Sequence, residues 1–477
     1  MGVLRHLVVV VPGIGGSVLT APDGTPAWDV TLRALAHAVV NPAVLDIDRE
    51  LTATRLVDTL TVFKPWLVVP GYDGLTHRLR TSFGERLRVL DYRDGEPVPG
   101  EVDVLRVPYD FRRSVAVSAD VLGRAVTAAV GDSGRRVIVV AHSMGGLVAR
   151  YWIGVGGGWR HCRALVTLGT PHRGAPRALD WLFNGAGAGM LRSGAATREL
   201  RRWPSVFELL PQYPAVLPAA GEPVEPTALS PTLVRPFGSP DAGRAVLGRA
   251  GGAAEVHADI ATAWDAIPGG QRPGLVVFFG RGHKTPNRAV VRDGRVEVAK
   301  VDPQWRPNVG WAGDGTVPAI SAIPTELSRE PERAQAVPDR HGAMGSTAAM
   351  LERLVTMQGE DLPVRGTDRP AMPWVGWDIE DVAPTGTQIE VGAQLHHGDE
   401  GPSDVVGSAA TLVVSGGAAP LVVPMAAAGY GWRAVLPPLP VGAYQVDVEV
   451  QDAWYATSVY ASTPLAVIDS DSDGDEL

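Results

Sequence analysis

The chain of 477 residues has a single cysteine, Cys162. An internal disulfide is therefore excluded, and nothing in the chain asks for an oxidising compartment. Positive charge is in deficit: 43 Lys and Arg against 52 Asp and Glu give a net charge of -9. A nucleic-acid partner is not expected from that balance. Long apolar runs are missing too. Nowhere do about 18 apolar residues follow one another, so no membrane-spanning segment is expected. The apolar run Leu7–Val11 ends in Pro12-Gly13 and is too short for the core of a signal peptide; it reads as a buried strand. Gly2 does not open a myristoylation motif, because the sixth position is His6. The closing G-D-E-L lacks the Lys or His that would begin an endoplasmic-reticulum retention signal. These readings together point to a cytoplasmic protein.

Hydrophobic residues at 45% and charged residues at 20% are enough for a large core. From 1 to about 365, strand-like runs alternate with helix-like ones. Leu7–Val11, Val102–Val107, Val137–Val140, Ala164–Leu168 and Leu275–Phe279 read as short buried strands, and Val115–Val130 and Gly146–Val155 as helices. Alternation of this kind predicts a mostly parallel sheet covered on both faces. Two insertions interrupt it, at about 21–85 and 175–265. The first carries Trp28, Phe63, Trp66 and Tyr72 without a clean period. The second is dense in proline from Pro211 to Pro240, which argues against long helices there. Both read as cap or lid segments. Trp181, Leu182, Phe183, Met190, Leu191, Trp203, Phe207 and Leu209 either line an apolar groove or form the core of the cap.

The composition shifts after Pro370. Residues 372–468 lack a helical period, and Tyr444–Gln451 alternates strictly between apolar and polar. This stretch is expected to be an all-β, immunoglobulin-like sandwich. Residues 469–477 read as an acidic, solvated tail. His396 and His397 have no accompanying ligand cluster and read as a surface loop pair, so no metal is expected.

Chemistry concentrates in Val137–Leu147, V-I-V-V-A-H-S-M-G-G-L. A β-branched run ends in the small residue Ala141, and Ser143 is followed closely by Gly145 and Gly146. Strand, tight turn and helix with serine at the apex form a nucleophile elbow, the signature of an α/β-hydrolase. A serine hydroxyl needs a general base, and that base needs an orienting acid. The expected chain order is Ser, then acid, then His. Asp314, in W-A-G-D-G-T-V-P, is the acid candidate, with Asp302 a weaker rival because Pro303 follows it. His341, in P-D-R-H-G-A-M-G-S, is the base candidate; the only later histidines are His396 and His397. Two backbone donors should face the oxyanion. Met144 supplies one, and the V-V-V-P-G-I-G-G turn the other, through Ile14 or alternatively Gly13. That turn is not a dinucleotide fingerprint, since no clear helix or suitable acid follows, and no cofactor is expected. His142 is expected to point away from Ser143 and to pack or hydrogen-bond locally, and His172 to shape its loop.

Taken in order, several motifs over residues 5 to 355 resemble the lecithin:cholesterol acyltransferase family, which includes lysosomal phospholipases and phospholipid:diacylglycerol acyltransferases. They are V-P-G-I-G-G-S-V-L, V-P-Y-D-F-R, A-H-S-M-G-G, L-G-T-P-H-R-G-A-P, W-P-S-V-F-E-L-L-P and G-D-G-T-V-P. The resemblance implies Ser143, Asp314 and His341 as a triad, with Ile14 and Met144 as oxyanion donors. The disulfides of the family's secreted members and the spanning segment of its membrane-bound members have no counterpart in this sequence, and the C-terminal β region is not part of the family core.

The expected activity is a serine-dependent lipid ester hydrolase or O-acyltransferase working through an acyl-enzyme. The alternatives are a soluble esterase for small esters, or a hydrolase recruited through a β-sandwich that binds a protein or glycan. A lid that touches a membrane surface is compatible with the first.

Overall fold

The computed structural model describes residues 4–468 apart from 30–40, 59, 63–66, 70, 189–190, 218–222, 227–239, 293–294, 301–311, 328–333, 346, 359–372, 398–408, 418, 430 and 455–456. Its centre is a seven-stranded sheet. In chain order the strands are β1 (Leu7–Val11), β2 (Val89–Asp91), β3 (Val104–Arg106), β4 (Val137–His142), β5 (Cys162–Leu168), β6 (Gly274–Gly280) and β7 (Ala334–Val337). Their order across the sheet is β7-β6-β5-β4-β1-β3-β2, and every pairing is parallel. A parallel central strand is apolar on both sides because helices cover both faces. In β1 all five residues are buried: Leu7, Val9 and Val11 join one core cluster, Val8 and Val10 the other. On the first face lie α2 (Val115–Val130) and α3 (Gly145–Gly154), through Leu122, Val126 and Leu147. On the other lie α1 (Asp73–Phe83) and α6 (Ala348–Met357), through Leu75, Leu79, Met350 and Leu354. This is the α/β-hydrolase arrangement.

The chain leaves β1 for β2 and β3 on one side, then crosses to β4 on the other. The strand order reverses there, and the crevice at the carboxyl ends of the strands is where such sheets bind ligands.

Between β5 and β6 the chain forms α4 (Pro176–Asn184), a short helix at Pro204–Glu208 and a 26-residue helix, α5 (Pro240–Asp265). The long helix corrects the expectation drawn from proline density. Pro240 is its first residue, where a missing N–H costs nothing, and no proline lies between it and Asp265. Leu182, Phe183, Trp203, Phe207 and Leu209 are buried in the main core, and Trp181 packs against it, so these are packing residues rather than an open groove. Phe63, Trp66, Met190 and the rival acid Asp302 lie outside the described residues, as does the acidic tail. Among the described residues no helix is long and apolar enough to cross a membrane.

The C-terminal strands are β8 (Pro373–Asp378), β9 (Val382–Pro384), β10 (Ile389–His397), β11 (Ala409–Ser415), β12 (Leu421–Pro424), β13 (Ala426–Ala428), β14 (Gly431–Leu436), β15 (Gly442–Trp454) and β16 (Thr457–Ile468). They form a four-stranded sheet, β8-β10-β14-β13, and a five-stranded one, β9-β16-β15-β11-β12. All pairs are antiparallel except β9 with β16. Inward residues of both sheets, among them Val391, Leu395, Leu412, Val446 and Val448, share one core. His396 lies in β10, buried and stacked on Trp374 with ring centroids 4.4 Å apart. The loop reading of the histidine pair is thereby corrected: β10 runs through both residues, and docking against Trp374 buries the first.

Candidate active site

Ser143 sits where β4 turns into α3. Its φ is +52°, which makes it the non-glycine residue of positive φ among those described. That strain is of the kind stored at functional sites, costing on the order of 1–3 kcal/mol. The surroundings hold it there. The Ser143 N–H donates to Leu168 O at 2.9 Å, at the end of the neighbouring strand. A Cβ on Gly145 would lie 2.4 Å from Pro12 O and 2.6 Å from Val11 O, so the helix start can press against β1 only as glycine. Ala141 is wholly buried.

His341 begins a short helix after β7, and its Nε2 lies 2.8 Å from Ser143 Oγ. Its Nδ1 lies 2.7 Å from Asp314 Oδ2. Asp314 Oδ1 accepts the N–H groups of Thr316 at 2.9 Å and Val317 at 2.7 Å. The acid and base loops are also joined directly, His341 N–H to Asp314 O at 2.9 Å. Gly169, with φ of +57°, leaves room for all this: a Cβ there would stand 3.0 Å from Asp314 Oδ2 and 3.2 Å from His341 Nδ1. Burial pushes the His341 pKa down, but the Asp314 charge and hydrogen bond outweigh it and hold the imidazole above its ordinary value. For Asp314 burial works upward, yet His341 and the two backbone donors keep the carboxyl below its ordinary value. Sequence reasoning nominated these three residues as nucleophile, acid and base; in the fold they form one hydrogen-bonded chain at the carboxyl edge of the sheet.

The loop after β1 comes close to the serine. A Cβ on Gly13 would be 2.7 Å from Ser143 Cβ. The Gly13 N–H is already used, donating to Tyr72 Oη at 2.9 Å. Among the described residues, the N–H groups of Ile14 and Met144 have no protein acceptor.

His142 does not pair locally. Its Nε2–H donates to His341 O at 2.9 Å, and its Nδ1 accepts from Tyr72 Oη at 2.8 Å. Burial, with His341 beside it, brings its pKa down to about 3, so the ring is neutral as this pattern requires. Tyr72 thus ties the loop after β1 to the base loop. Tyr109, from V-P-Y-D-F-R, holds the same loop by donating to Pro12 O at 2.7 Å. Arg112 of that segment is fully buried and pairs with Asp110 through Nε at 2.8 Å and Nη2 at 2.7 Å. Sequence reasoning gave Tyr72 and Tyr109 no role; the resemblance flagged the second as part of a motif, and the first was noted only as one of the aromatics of the first insertion. His172 Nε2 meets Thr167 Oγ1 at 3.2 Å and Nδ1 meets Arg150 at 3.4 Å; burial and Arg150 keep it neutral, in line with a loop-shaping role. Among the described residues no group of acidic, His or Cys side chains has the make-up of a metal site.

Residues 99–225 match the family model of lecithin:cholesterol acyltransferase. The match spans the elbow and the loop after it, while Asp314 and His341 lie beyond it. No curated protein matches the chain. Among solved structures, the mature form of lipase BlEst2 from Bacillus licheniformis is similar at 12% identity and a TM-score of 0.36, over 74% of this chain and 92% of that one. Its propeptide form is similar at 10% identity and 0.36, over 97% and 93%. Phospholipase PlaB from Legionella pneumophila is similar at 10% identity and 0.25, over 97% and 92%. The family match lies over the elbow segment, and the sheet around that segment has the α/β-hydrolase arrangement, so the chain is similar to lecithin:cholesterol acyltransferase in this region.

Proposed function

We propose that the protein is a serine lipid ester hydrolase or O-acyltransferase that works through an acyl-enzyme. The observation that carries this reading is the hydrogen-bonded chain from Asp314 through His341 to Ser143, on a strained elbow. In this mechanism Ser143 Oγ attacks the ester carbonyl while His341 Nε2 takes its proton. Asp314 holds the Nδ1–H and offsets the charge of the imidazolium. The N–H groups of Met144 and Ile14 receive the oxyanion. Collapse expels the alcohol, which takes the proton back from His341 and leaves an ester on Ser143. Water, or a second alcohol, then attacks that ester with His341 again accepting the proton; the acyl–Oγ bond breaks, and Ser143 takes the proton back from His341 as the acid or new ester leaves. A site that excludes water favours transfer.

The domain division belongs to the proposal as well: a hydrolase unit over 1–365 with cap segments, and a β-sandwich over 372–468. So does a cytoplasmic setting, suggested by the single cysteine.

A second reading, a soluble esterase for small esters, is favoured by one observation. The cap side chains Leu182, Phe183, Trp203, Phe207 and Leu209 are packed into the core and unavailable to grip a long acyl chain.

A fluorophosphonate probe should label the wild type and not Ser143→Ala. Mass spectrometry of products from phospholipid vesicles, with and without an added alcohol, then separates hydrolysis from transfer, and turnover of short esters alone would favour the second reading. Folded wild-type protein that takes no label overturns the serine mechanism. Full activity in His341→Ala removes that residue from it.

A further inference from the structure

The segment following β6, residues 281–285, touches three things at once. The first is the acid loop. His283 and Gly313 exchange backbone hydrogen bonds, His283 N–H to Gly313 O at 3.0 Å and Gly313 N–H to His283 O at 3.2 Å. Thr285 Oγ1 accepts the N–H groups of Gly313 at 3.0 Å and Gly315 at 2.9 Å, and donates to His283 O at 2.7 Å. Asp314 is thus gripped on both sides. The second is the base loop. His283 Nε2–H donates to Pro338 O at 2.8 Å, three residues before His341.

The third is the C-terminal sandwich. His283 Nδ1 accepts the Trp377 N–H of β8 at 3.0 Å. The backbone follows, Lys284 N–H to Trp377 O at 3.1 Å, and so does a side-chain pair, Lys284 Nζ to Asp378 at 2.9 Å. Gly282 lies so close to the sandwich that a Cβ on it would come within 2.1 Å of the Trp374 ring. His283 itself is buried, and burial lowers its pKa to about 4, so the neutral tautomer with one donor and one acceptor fits both partners.

A second bond between the sandwich and the base loop lies next to His341. The Arg340 guanidinium donates to Thr463 Oγ1 of β16 at 2.9 Å and to Ile379 O at 3.0 Å, and pairs with Asp381 at 2.6 Å. All three partners belong to the C-terminal strands or the turn between β8 and β9. A tethered binding module would have no need to place buried backbone and hydroxyl groups against these two loops.

Building on the serine mechanism proposed above, we propose that His283 and Arg340 are positioning residues through which the C-terminal sandwich holds the Asp314 and His341 loops in register. The sandwich is then part of what makes the hydrolase competent. Neither residue touches substrate. Their effect is on the distance and angle of the two triad hydrogen bonds, and small displacements there are costly to rate.

The test uses the full chain. His283→Phe removes both hydrogen bonds at similar bulk, and His283→Gln restores one donor and one acceptor. Arg340→Met removes the guanidinium, and Thr463→Val removes one acceptor without changing side-chain shape. Fluorophosphonate labelling rate, kcat and KM on a short p-nitrophenyl ester, and the pH midpoint of kcat/KM are measured for each. His283→Phe and Arg340→Met should lose about tenfold to a hundredfold in kcat and in labelling rate with KM unchanged. Thr463→Val should lose several-fold, His283→Gln should recover most of the His283→Phe loss, and the pH midpoint should move in the impaired variants. Folded variants that keep wild-type kcat, labelling rate and midpoint overturn the proposal. Should His283→Phe or Arg340→Met not fold, Thr463→Val decides: unchanged kinetics overturn it. The two readings fail differently. Wild type that labels only at Ser143, beside unaffected variants, removes this coupling alone, whereas folded wild type that never labels removes the serine mechanism and the coupling with it.

Discussion

Replacing Asp314 by Asn should nearly abolish turnover while leaving the fold in place, and the reason lies in its hydrogen bonds. Oδ1 accepts two backbone N–H groups, from Thr316 at 2.9 Å and Val317 at 2.7 Å. An Asn side chain must keep its oxygen there, because an amide NH2 facing two N–H donors would be repelled. Its NH2 is then directed at His341 Nδ1, the position of Oδ2 at 2.7 Å. A donor in that place forces Nδ1 to be the acceptor, and the ring proton moves to Nε2. That nitrogen stands 2.8 Å from Ser143 Oγ and can no longer take its proton. A wrong tautomer of this kind costs about ten-thousandfold in kcat, or ~5 kcal/mol of activation free energy. KM should hardly move, since Asp314 is 1% exposed and out of a substrate's reach. The pH profile carries a second sign of the pair. His341 must be neutral to act, and Asp314 holds its pKa above the ordinary imidazole value, so wild-type kcat/KM should rise with pH through a midpoint on the alkaline side of that value. The His341 pairing contributes stability in full below the ordinary imidazole pKa and loses it as pH rises through the raised one. The depressed Asp314 carboxyl does the reverse, contributing above the ordinary carboxylate value and losing it as pH falls. The assay is steady-state hydrolysis of a soluble ester across the neutral range, with circular dichroism to check the fold. A folded Asn variant within tenfold of wild-type kcat would refute the reasoning.

Three other perturbations have definite expectations. Gly145→Ala drives a methyl group against Pro12 O and Val11 O and should destabilise the fold by about 2–3 kcal/mol, read by urea denaturation; a neutral result would mean that the elbow is not pressed against β1. Tyr72→Phe leaves the Gly13 N–H and His142 Nδ1 without their partner, at about 1–3 kcal/mol for each buried group, and should slow turnover as well; unchanged stability and rate would show the Tyr72 bridge to be dispensable. Cys162 is buried, and burial raises its thiol pKa to about 12, so iodoacetamide should leave native protein unmodified and active but alkylate it in denaturant. Inactivation of the native enzyme by that reagent would contradict the burial.

How much of this was legible depends on how local each constraint is. The elbow was open to reading because everything it needs lies within one short stretch: a β-branched run for a doubly covered strand, and small residues where β1 presses on the turn. Helix Val115–Val130 was equally legible, closed at one end by Ser114 as cap and at the other by Gly131. Asp314 and His341 could be nominated by chain order, but the bond between them depends on β6 and β7 lying side by side. Helix α5 was missed because prolines were weighed by their number, whereas their effect depends on position: Pro240 starts a helix that a proline further along would break. Tyr72 was out of reach, since its partners Gly13 and His142 lie 59 and 70 residues away and no period marks it. The burial of His396 depends on the sandwich docking against Gly282, a tertiary contact with no local pattern.

The loop after β1 is where packing and chemistry divide between neighbouring residues. Sequence left Ile14 and Gly13 both open as the second oxyanion donor. The Gly13 N–H is bound to Tyr72 Oη, and that hydroxyl donates in turn to His142 Nδ1, so releasing the donor would break a buried chain of hydrogen bonds. What position 13 contributes is space, for any side chain there would strike Ser143 Cβ. Ile14 comes next, with an N–H that no protein acceptor claims among the described residues. The assignment to Ile14 is therefore favoured by exclusion as well as by resemblance. It also accounts for the care taken to fix this loop, held by Tyr72 at Gly13 and by Tyr109 at Pro12. A donor acts on a developing charge only if it is already aimed before the charge appears. Two buried tyrosines bonded to so short a loop hold it in place, while the strain at Ser143 is borne by the strands beneath it.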